Sequence, residues 1–171
     1  NAWLILRFLT GLPAERIAVT AGASGGFILA FLAAFDAGAR VALAEPGYPA
    51  YRTILRALDI EVVPIATAAA NGFQPTLAEL DALTPPIDGL IIASPANPTG
   101  TVLPAAQLAS IARWCSERGV RLVSDESYHG IAYATPPTTA LASSSRCSSF
   151  LRTMRRTESS ITSSGTAPER T

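Results

Sequence analysis

The sequence predicts an α/β domain in which helices flank a mostly parallel sheet. From Pro13 to about Ala142, short apolar segments rich in β-branched residues alternate with amphipathic stretches. Hydrophobic residues make up 49% of the 171 residues, which is enough for one domain with a packed core. Right-handed crossovers are the expected connections between successive parallel strands.

Five segments are predicted to be strands, because each is short, contains β-branched residues and is bounded by Gly, Pro or polar residues. Brevity of this kind is typical of strands in a buried sheet. The segments are Ile17–Thr20, Arg40–Ala44, Glu61–Ile65, Leu90–Ala93 and Val120–Ser124.

Three segments between the strands are predicted to be helices. Gly26–Phe35 is apolar on almost every side, so it is expected to be deeply buried. Tyr51–Leu58 is a short helix candidate. Ala105–Arg118 has apolar residues at helical spacing, with Pro104 before its first turn and Gly119 after its end.

The composition of the chain excludes several classes of function. The net charge is zero, which argues against binding to nucleic acid or to a membrane surface through charge. No apolar run reaches the ~20 residues that a membrane-spanning helix needs, and the two cysteines lack metal-site spacing and suit a reducing cytoplasm. The 13 basic residues are all arginine, so the sequence contains no lysine.

Residues 143–171 differ in composition from the rest of the chain. Ser, Thr and Arg dominate this segment, apolar residues are few and no periodicity is visible. Such a segment cannot bury enough apolar surface to offset the entropy lost on ordering it. We expect it to be disordered or poorly packed.

The segment Val19–Gly26 (Val-Thr-Ala-Gly-Ala-Ser-Gly-Gly) is the first candidate site. Glycines let a backbone approach an anion closely, and the start of the following helix offers free N–H groups. The segment could bind a phosphate through the amides of Ala23 and Ser24 and the Ser24 hydroxyl. An ordinary tight turn between a strand and a helix explains the pattern about equally well, and the glycine spacing fits neither common nucleotide-binding pattern.

Two proline-containing loops follow predicted strands. Glu45–Tyr51 (Glu-Pro-Gly-Tyr-Pro-Ala-Tyr) forms a rigid turn that can hold Tyr48 over a flat ligand, although a packing tyrosine on a surface turn is the simpler explanation. Ser94–Gly100 (Ser-Pro-Ala-Asn-Pro-Thr-Gly) places Asn97 at the C-terminal end of a strand, where ligands of open α/β sheets bind. The Asn97 amide can donate to a phenolate-type oxygen, or the segment is only a Pro-rich turn.

The segment Ser124–Gly130 (Ser-Asp-Glu-Ser-Tyr-His-Gly) ends the last predicted strand. The Asp125 carboxylate can pair with a protonated ring nitrogen, and Tyr128 can donate to another ring substituent. Asp125 or Glu126 could instead cap a helix. His129 is the only histidine of the chain, and a lone histidine is more often structural or exposed than catalytic.

Together and in this order, the four motifs resemble the large domain of the pyridoxal-phosphate-dependent aminotransferases of class I and II, over roughly Ile17 to Leu141. The resemblance implies part of the large domain of an aspartate-aminotransferase-like fold. It also implies pyridoxal 5'-phosphate as cofactor, no metal, and an amino acid and a 2-oxo acid as substrates. Full-length members of this family are usually homodimers.

The resemblance assigns cofactor-binding roles to the first two motifs. The Gly-rich turn would bind the cofactor phosphate through Gly22, Ala23 and Ser24. The ring of Tyr48 would stack on the pyridine ring of the cofactor.

The resemblance likewise assigns roles to the last two motifs. Asn97 and Tyr128 would hydrogen-bond the 3-oxygen of the ring. Asp125 would pair with the pyridine nitrogen and keep it protonated, which makes the ring an electron sink. By the same resemblance, the Glu45–Pro46 and Asn97–Pro98 peptide bonds are expected to be cis.

The chain departs from the family in one respect that matters for chemistry. Family members have, downstream of Asp-Glu-x-Tyr, a Ser-x-x-Lys segment whose lysine binds the cofactor covalently, and this chain has no lysine. We therefore expect residues 1–142 to be a truncated cofactor-binding large domain, residues 143–171 to lie outside the family pattern, and this chain alone to be inactive. The expected function is amino-group transfer. A sister elimination reaction on the same cofactor and a catalytically inactive ligand- or partner-binding domain stay open as alternatives.

Overall fold

The computed structural model describes residues 17–129, 131 and 139. A four-stranded sheet in the order β2-β1-β3-β4 forms its centre, and all three neighbouring pairs of strands run parallel. The C-terminal ends of the strands therefore lie at one edge of the sheet. The strands are β1 (Arg40–Glu45), β2 (Glu61–Ala66), β3 (Gly89–Ala93) and β4 (Arg121–Asp125).

Helices cover both faces of this sheet, as the predicted fold class requires. The first two helices pack on one face and the last two on the other. A short 3-10 turn at Ala69–Asn71 precedes the third helix. The helices are α1 (Ala23–Ala34), α2 (Pro49–Ala57), α3 (Leu77–Asp81) and α4 (Ala105–Arg118).

The alternation of side chains along β1 divides the core into two layers. Val41 and Leu43 point to the face covered by α1 and α2, where they join Phe27 and Phe31. Ala42 points to the opposite face, which α3 and α4 cover. The two central strands, β1 and β3, are thus buried on both sides, which accounts for their nearly continuous apolar sequence.

Four of the five predicted strands and all three predicted helices are confirmed, with boundaries shifted by up to three residues. Gly119 ends α4 in the left-handed conformation with φ of 70°, as its position after the helix predicts. Pro64 lies within β2, which is an edge strand and tolerates a residue that lacks a backbone N–H.

The prediction of a strand at Ile17–Thr20 is wrong: this segment has no regular structure. Ile17 is buried, whereas Val19, which would share its face in a strand, is 52% exposed. A strand exists only through hydrogen bonds to a neighbour, and this segment pairs with none of the four strands of the sheet. Local β-propensity therefore misled the prediction.

The prediction that the first helix is deeply buried is also wrong for half of its surface. Phe27 and Phe31 are buried against the sheet, but Ile28, Leu29 and Leu32 are 42%, 57% and 58% exposed. A helix on the surface of a sheet packs only one of its faces against that sheet. No described segment covers the opposite face of α1.

The sequence contains a local signal for α3, a helix that was not among those predicted. Thr76 caps the helix by accepting a hydrogen bond from the Glu79 amide, while a Glu79 carboxylate oxygen accepts one from the Thr76 amide at 2.7 Å. This Thr-x-x-Glu capping box satisfies donors at the start of the helix, and so a helix of five residues is stable there.

No helix in the described part of the chain is long and apolar enough to cross a membrane. The predicted disorder of residues 143–171 concerns residues that lie outside the described part.

We predict that Thr76→Ala lowers the free energy of unfolding by about 1 kcal/mol, because the capping box loses its hydroxyl. The matched control is Thr53→Ala in α2, where the exposed hydroxyl donates to the Pro49 carbonyl of its own helix. Urea denaturation of both variants measures the effect. Equal stability of the two variants would contradict a role for the capping box.

Candidate functional site

Three of the four sequence motifs begin at the C-terminal ends of neighbouring strands. The loop of Tyr48 follows β1, the loop of Asn97 follows β3, and Asp125 is the last residue of β4. Strand β3 lies between β1 and β4, so its loop is adjacent to both of the others. The Ser94 amide donates to the Asp125 carbonyl at 3.0 Å, which fixes the start of the Asn97 loop beside Asp125.

The Asp125 carboxylate is buried, and three donors from the described residues hold it. The Tyr51 hydroxyl donates to its Oδ2 atom. The Ser127 amide and the Ser127 hydroxyl both donate to its Oδ1 atom, at 2.9 Å and 2.5 Å. A buried carboxylate needs such donors, because it has lost its hydration.

Tyr51 connects Asp125 to the other elements of the site. Its ring packs edge-to-face against Phe27 of α1, with 5.0 Å between centroids, and against Tyr48, with 5.4 Å between centroids. Edge-to-face pairs at these distances are favourable. The first helix, the Tyr48 loop and Asp125 therefore meet at one buried tyrosine.

Burial raises the pKa of Tyr51 far above its ordinary value, and the Asp125 carboxylate raises it further through its charge and its hydrogen bond. Tyr128 and Tyr48 contribute in the same direction, so both lie within electrostatic range of the Tyr51 hydroxyl. The hydroxyl accordingly stays protonated and serves as a donor.

The start of α1 has the geometry of an anion-binding turn. Gly22 precedes the helix with φ of 89°, a conformation that favours glycine. No side chain caps the helix and no acidic residue lies in its first turn. The amides of Ala23, Ser24 and Gly25 bond no other described residue, so they are available to an anion.

The Asn97 loop is held by its own hydrogen bonds. The Ala96 amide donates to the Thr101 carbonyl at 2.9 Å, and the Gly100 amide donates to the Ala96 carbonyl at 2.7 Å. The buried Ser94 hydroxyl accepts from the Leu103 amide at 2.9 Å. These bonds fix the backbone on both sides of Asn97.

Gln74 braces the same loop from outside. This buried side chain donates to the Ala93 carbonyl at 3.0 Å and to the Thr101 hydroxyl at 3.3 Å. The Glu45–Pro46 and Asn97–Pro98 bonds are both cis, as the family resemblance predicted.

The structure thus brings some of the predicted site residues together directly and others through their loops. Tyr48, Asp125 and Tyr128 surround Tyr51, and the side chain of Tyr128 is half exposed. Asn97 lies on a loop anchored at Asp125.

The predicted phosphate turn is formed by Gly22, Ala23 and Ser24. It lies one helical turn before Phe27, which contacts Tyr51.

Two residues that contribute to this geometry, Tyr51 and Gln74, were not predicted. Tyr51 and Leu55 are both buried and lie four residues apart on α2, so helical spacing would have identified Tyr51 as a residue facing the sheet. Its bond to Asp125 spans 74 positions of sequence and has no local signal.

His129 lies beside Glu126 rather than in the cluster around Tyr51. Its Nδ1 atom is 3.5 Å from a Glu126 carboxylate oxygen, and both side chains are about nine-tenths buried. The other Glu126 oxygen accepts from the Ser124 and Thr139 hydroxyls, both at 3.1 Å. This arrangement supports the structural interpretation of His129.

We predict that the free energy of unfolding falls as the pH rises above about 10, the ordinary pKa of tyrosine. The pKa of Tyr51 is raised in the folded chain, so the unfolded chain loses its proton first and unfolding becomes favoured. The Tyr51→Phe variant should show a smaller fall above about pH 10 in urea titrations. Tyr128→Phe, which leaves Tyr51 in place, should show the same fall as the unmodified chain. If the free energy of unfolding fell equally with pH in all three chains, the burial of an un-ionised Tyr51 would be contradicted.

Comparison with known proteins places this geometry in a family. The model of the family "Aminotransferase class I and II" matches residues 5–164, a span that includes part of the Ser-rich segment. The valine–pyruvate aminotransferase of Mycobacterium tuberculosis is 56% identical over 128 residues, which cover 75% of this chain and 33% of that protein. The 1-aminocyclopropane-1-carboxylate synthase 1 of Oryza sativa subsp. indica is 34% identical over 131 residues, which cover 72% of this chain and 27% of that protein.

The fold agrees with these sequence matches. A crystal structure of an aminotransferase from Mycobacterium tuberculosis superposes with a TM-score of 0.77 at 50% identity, covering 84% of this chain and 38% of that one. The aspartate aminotransferase of Thermus thermophilus superposes with a TM-score of 0.74 at 30% identity, covering 81% of this chain and 37% of that one, which confirms the predicted aspartate-aminotransferase-like fold. The chain spans about a third of the length of the curated relatives it matches. It belongs to the family of class I and II aminotransferases.

Proposed function

We propose that this chain forms the pyridoxal-phosphate-binding part of an enzyme that transfers an amino group from an amino acid to a 2-oxo acid. One observation carries the proposal. The buried Asp125 carboxylate, held by three donors, lies at the sheet edge where the Tyr48 and Asn97 loops begin. Packing alone gives no reason to bury a carboxylate at the ligand-binding edge of a parallel sheet.

The start of α1 fits the phosphate of the cofactor. The uncapped amides of Ala23 and Ser24 and the positive end of the helix dipole suit a dianionic group. Gly22 adopts a positive φ of 89°, which favours glycine and lets the chain turn into the helix. The Ser24 hydroxyl, which is exposed, supplies a further donor.

The residues around Tyr51 fit the pyridine ring. Asp125 would hold a proton on the ring nitrogen, Tyr48 would lie against the ring face, and Asn97 and Tyr128 would donate to the 3-oxygen. When bound, pyridoxal phosphate supplies an electron-withdrawing ring that stabilises negative charge at the α-carbon of the substrate. The contribution of Asp125 is to keep that ring protonated, because a carboxylate favours the charged form of its partner.

The similarity to known proteins supports transamination over the sister eliminations. The relative with 56% identity is named a valine–pyruvate aminotransferase, whereas the synthase is 34% identical. We therefore propose valine or a similar apolar amino acid, with pyruvate, as the substrate pair. By the same family argument the active protein would be a homodimer.

Because this chain has no lysine, its ability to bind the cofactor and its ability to turn over substrate are separate questions. A primary amine is needed to hold the cofactor covalently and to move the proton at the substrate α-carbon, and lysine is its usual source. We propose that the chain binds the cofactor reversibly and does not turn over substrate by itself. The same absence favours, as a second candidate, a ligand-binding domain without catalytic activity.

We predict that the chain binds pyridoxamine 5'-phosphate, a form of the cofactor that carries its own amine and needs no lysine. Asp125→Asn should weaken binding about 10- to 100-fold, because a hydrogen bond to a charged group contributes about 1.5–3 kcal/mol. Isothermal titration of the purified chain measures the dissociation constants.

The matched control is Asp81→Asn, which removes a half-exposed carboxylate that bonds Trp114 and Arg118 near the end of α4. It should bind like the unmodified chain. Equal affinities of the Asp125 and Asp81 variants would refute the assignment of Asp125, provided that circular dichroism shows both to be folded.

We further predict that the purified chain, supplied with pyridoxal phosphate, does not form alanine from valine and pyruvate. The physical reason is the lack of a lysine ε-amino group. The 56%-identical relative, assayed alongside, is the positive control. Turnover by this chain would contradict the proposal that a chain without lysine cannot transfer the amino group.

A further inference from the structure

We propose that Tyr51 is a positioning residue that orients the Asp125 carboxylate toward the ring nitrogen of the cofactor, an inference that rests on the proposed function. Tyr51 comes from α2, one turn after Tyr48, and its hydroxyl donates to Asp125 Oδ2. Its role is to hold the carboxylate, without touching substrate or cofactor.

The hydrogen bonds divide the two carboxylate oxygens unequally. A carboxylate offers about four acceptor positions, two on each oxygen. The Ser127 amide and hydroxyl use both positions on Oδ1, at 2.9 Å and 2.5 Å. The Tyr51 hydroxyl uses one position on Oδ2. Within the described part of the chain no donor uses the second position on Oδ2, so a protonated ring nitrogen would share that oxygen with Tyr51.

Tyr51 itself has little freedom to move. Its side chain is 3% exposed and is packed between Phe27 and Tyr48, with interplanar angles of 88° and 83°. A ring fixed by two edge-to-face contacts directs its hydroxyl to one place. The donors from Tyr51 and Ser127 approach from opposite oxygens, which prevents the carboxylate from rotating about its Cβ–Cγ bond.

The hydroxyl of Tyr51 also persists as a donor over the pH range in which an aminotransferase would work. Burial and the neighbouring Asp125 carboxylate raise its pKa, so it does not ionise under neutral or mildly alkaline conditions. A purely packing role would need only the ring, which phenylalanine supplies equally well. Removal of the hydroxyl alone therefore distinguishes the two roles: it should impair a positioning role and leave a packing role intact.

The test compares Tyr51→Phe with the unmodified chain. A positioning role predicts binding of pyridoxamine 5'-phosphate weakened about 10-fold, the effect of losing one hydrogen bond to a charged group. It also predicts that the ring nitrogen of the bound ligand loses its proton at a lower pH, as followed by absorbance, because the carboxylate is no longer aligned. Unchanged affinity, or a shift to higher pH, would overturn the proposal.

The matched control is Trp114→Phe. Trp114 also donates from a ring to a carboxylate, its indole Nε1 lying 2.7 Å from Asp81 Oδ1, but in the cluster at the end of α4. Its loss should leave both the affinity and the absorbance titration unchanged. An effect equal to that of Tyr51→Phe would assign the result to general destabilisation and would overturn the proposal.

A second measurement is independent of ligand binding. If Tyr51 holds the carboxylate, Tyr51→Phe frees it to rotate, and the Ser127 amide proton should exchange with solvent faster, as measured by nuclear magnetic resonance. Failure of the unmodified chain to bind pyridoxamine phosphate would refute the proposed function, while unchanged exchange at Ser127 would refute the role of Tyr51.

If the variant does not fold, the Tyr51 hydroxyl proton of the unmodified chain tests the inference instead. A slowly exchanging signal close to Asp125 is expected, and its absence contradicts the inference.

Discussion

The burial of the Asp125 carboxylate is the constraint on which the arrangement of this site depends. A carboxylate removed from water is tolerated only where donors replace its hydration, and here those donors come from two places in the chain. Ser127 lies two residues after Asp125, whereas Tyr51 comes from a helix on one face of the sheet. The position of α2 and the position of the end of β4 are therefore linked by one hydrogen bond. Displacement of either would leave a charged group buried without enough partners.

The parallel sheet explains how residues so distant in sequence meet. All four strands run in the same direction, so the loops that follow β1, β3 and β4 leave the sheet at one edge. The order of the strands puts β3 in the middle, and the Asn97 loop is accordingly adjacent to Asp125 and to the Tyr48 loop. Hydrogen bonds from Gln74 and within the loop hold its backbone in place. The fold thus holds the candidate site residues in place by contacts within the chain, at the edge where ligands of α/β proteins usually bind.

The features that were predictable from sequence are those with a local cause. The pattern of β-branched segments located β1 to β4, and Gly119 marked the end of α4. The segment Ile17–Thr20 has the same local pattern but pairs with none of the four described strands, and pairing is a property of the tertiary structure. The exposed face of α1 has the same explanation, because the apolar composition of a helix does not reveal what covers it.

The candidate site was predictable only in part, for a related reason. Tyr48, Asn97 and Asp125 lie in motifs with unusual local composition, so each could be identified without knowledge of the fold. Tyr51, in contrast, looks like an ordinary helical tyrosine in the sequence. Its role is visible only in the folded chain, where it bonds Asp125, 74 positions away. Residues that position another side chain across the fold leave no local pattern, and a structure is needed to find them.

The central claim is that the residues around Asp125 form a binding site for the pyridine ring of the cofactor, and a crystal structure of the chain with pyridoxamine 5'-phosphate tests it most directly. We expect the ring nitrogen within hydrogen-bond distance of Asp125 Oδ2, the ring against Tyr48, and the phosphate at the first turn of α1. A ligand bound elsewhere, for example in the groove of about 390 Å³ lined by Leu83, Trp114 and Arg118, would contradict the claim. So would a ligand in the site whose ring nitrogen faces away from Asp125.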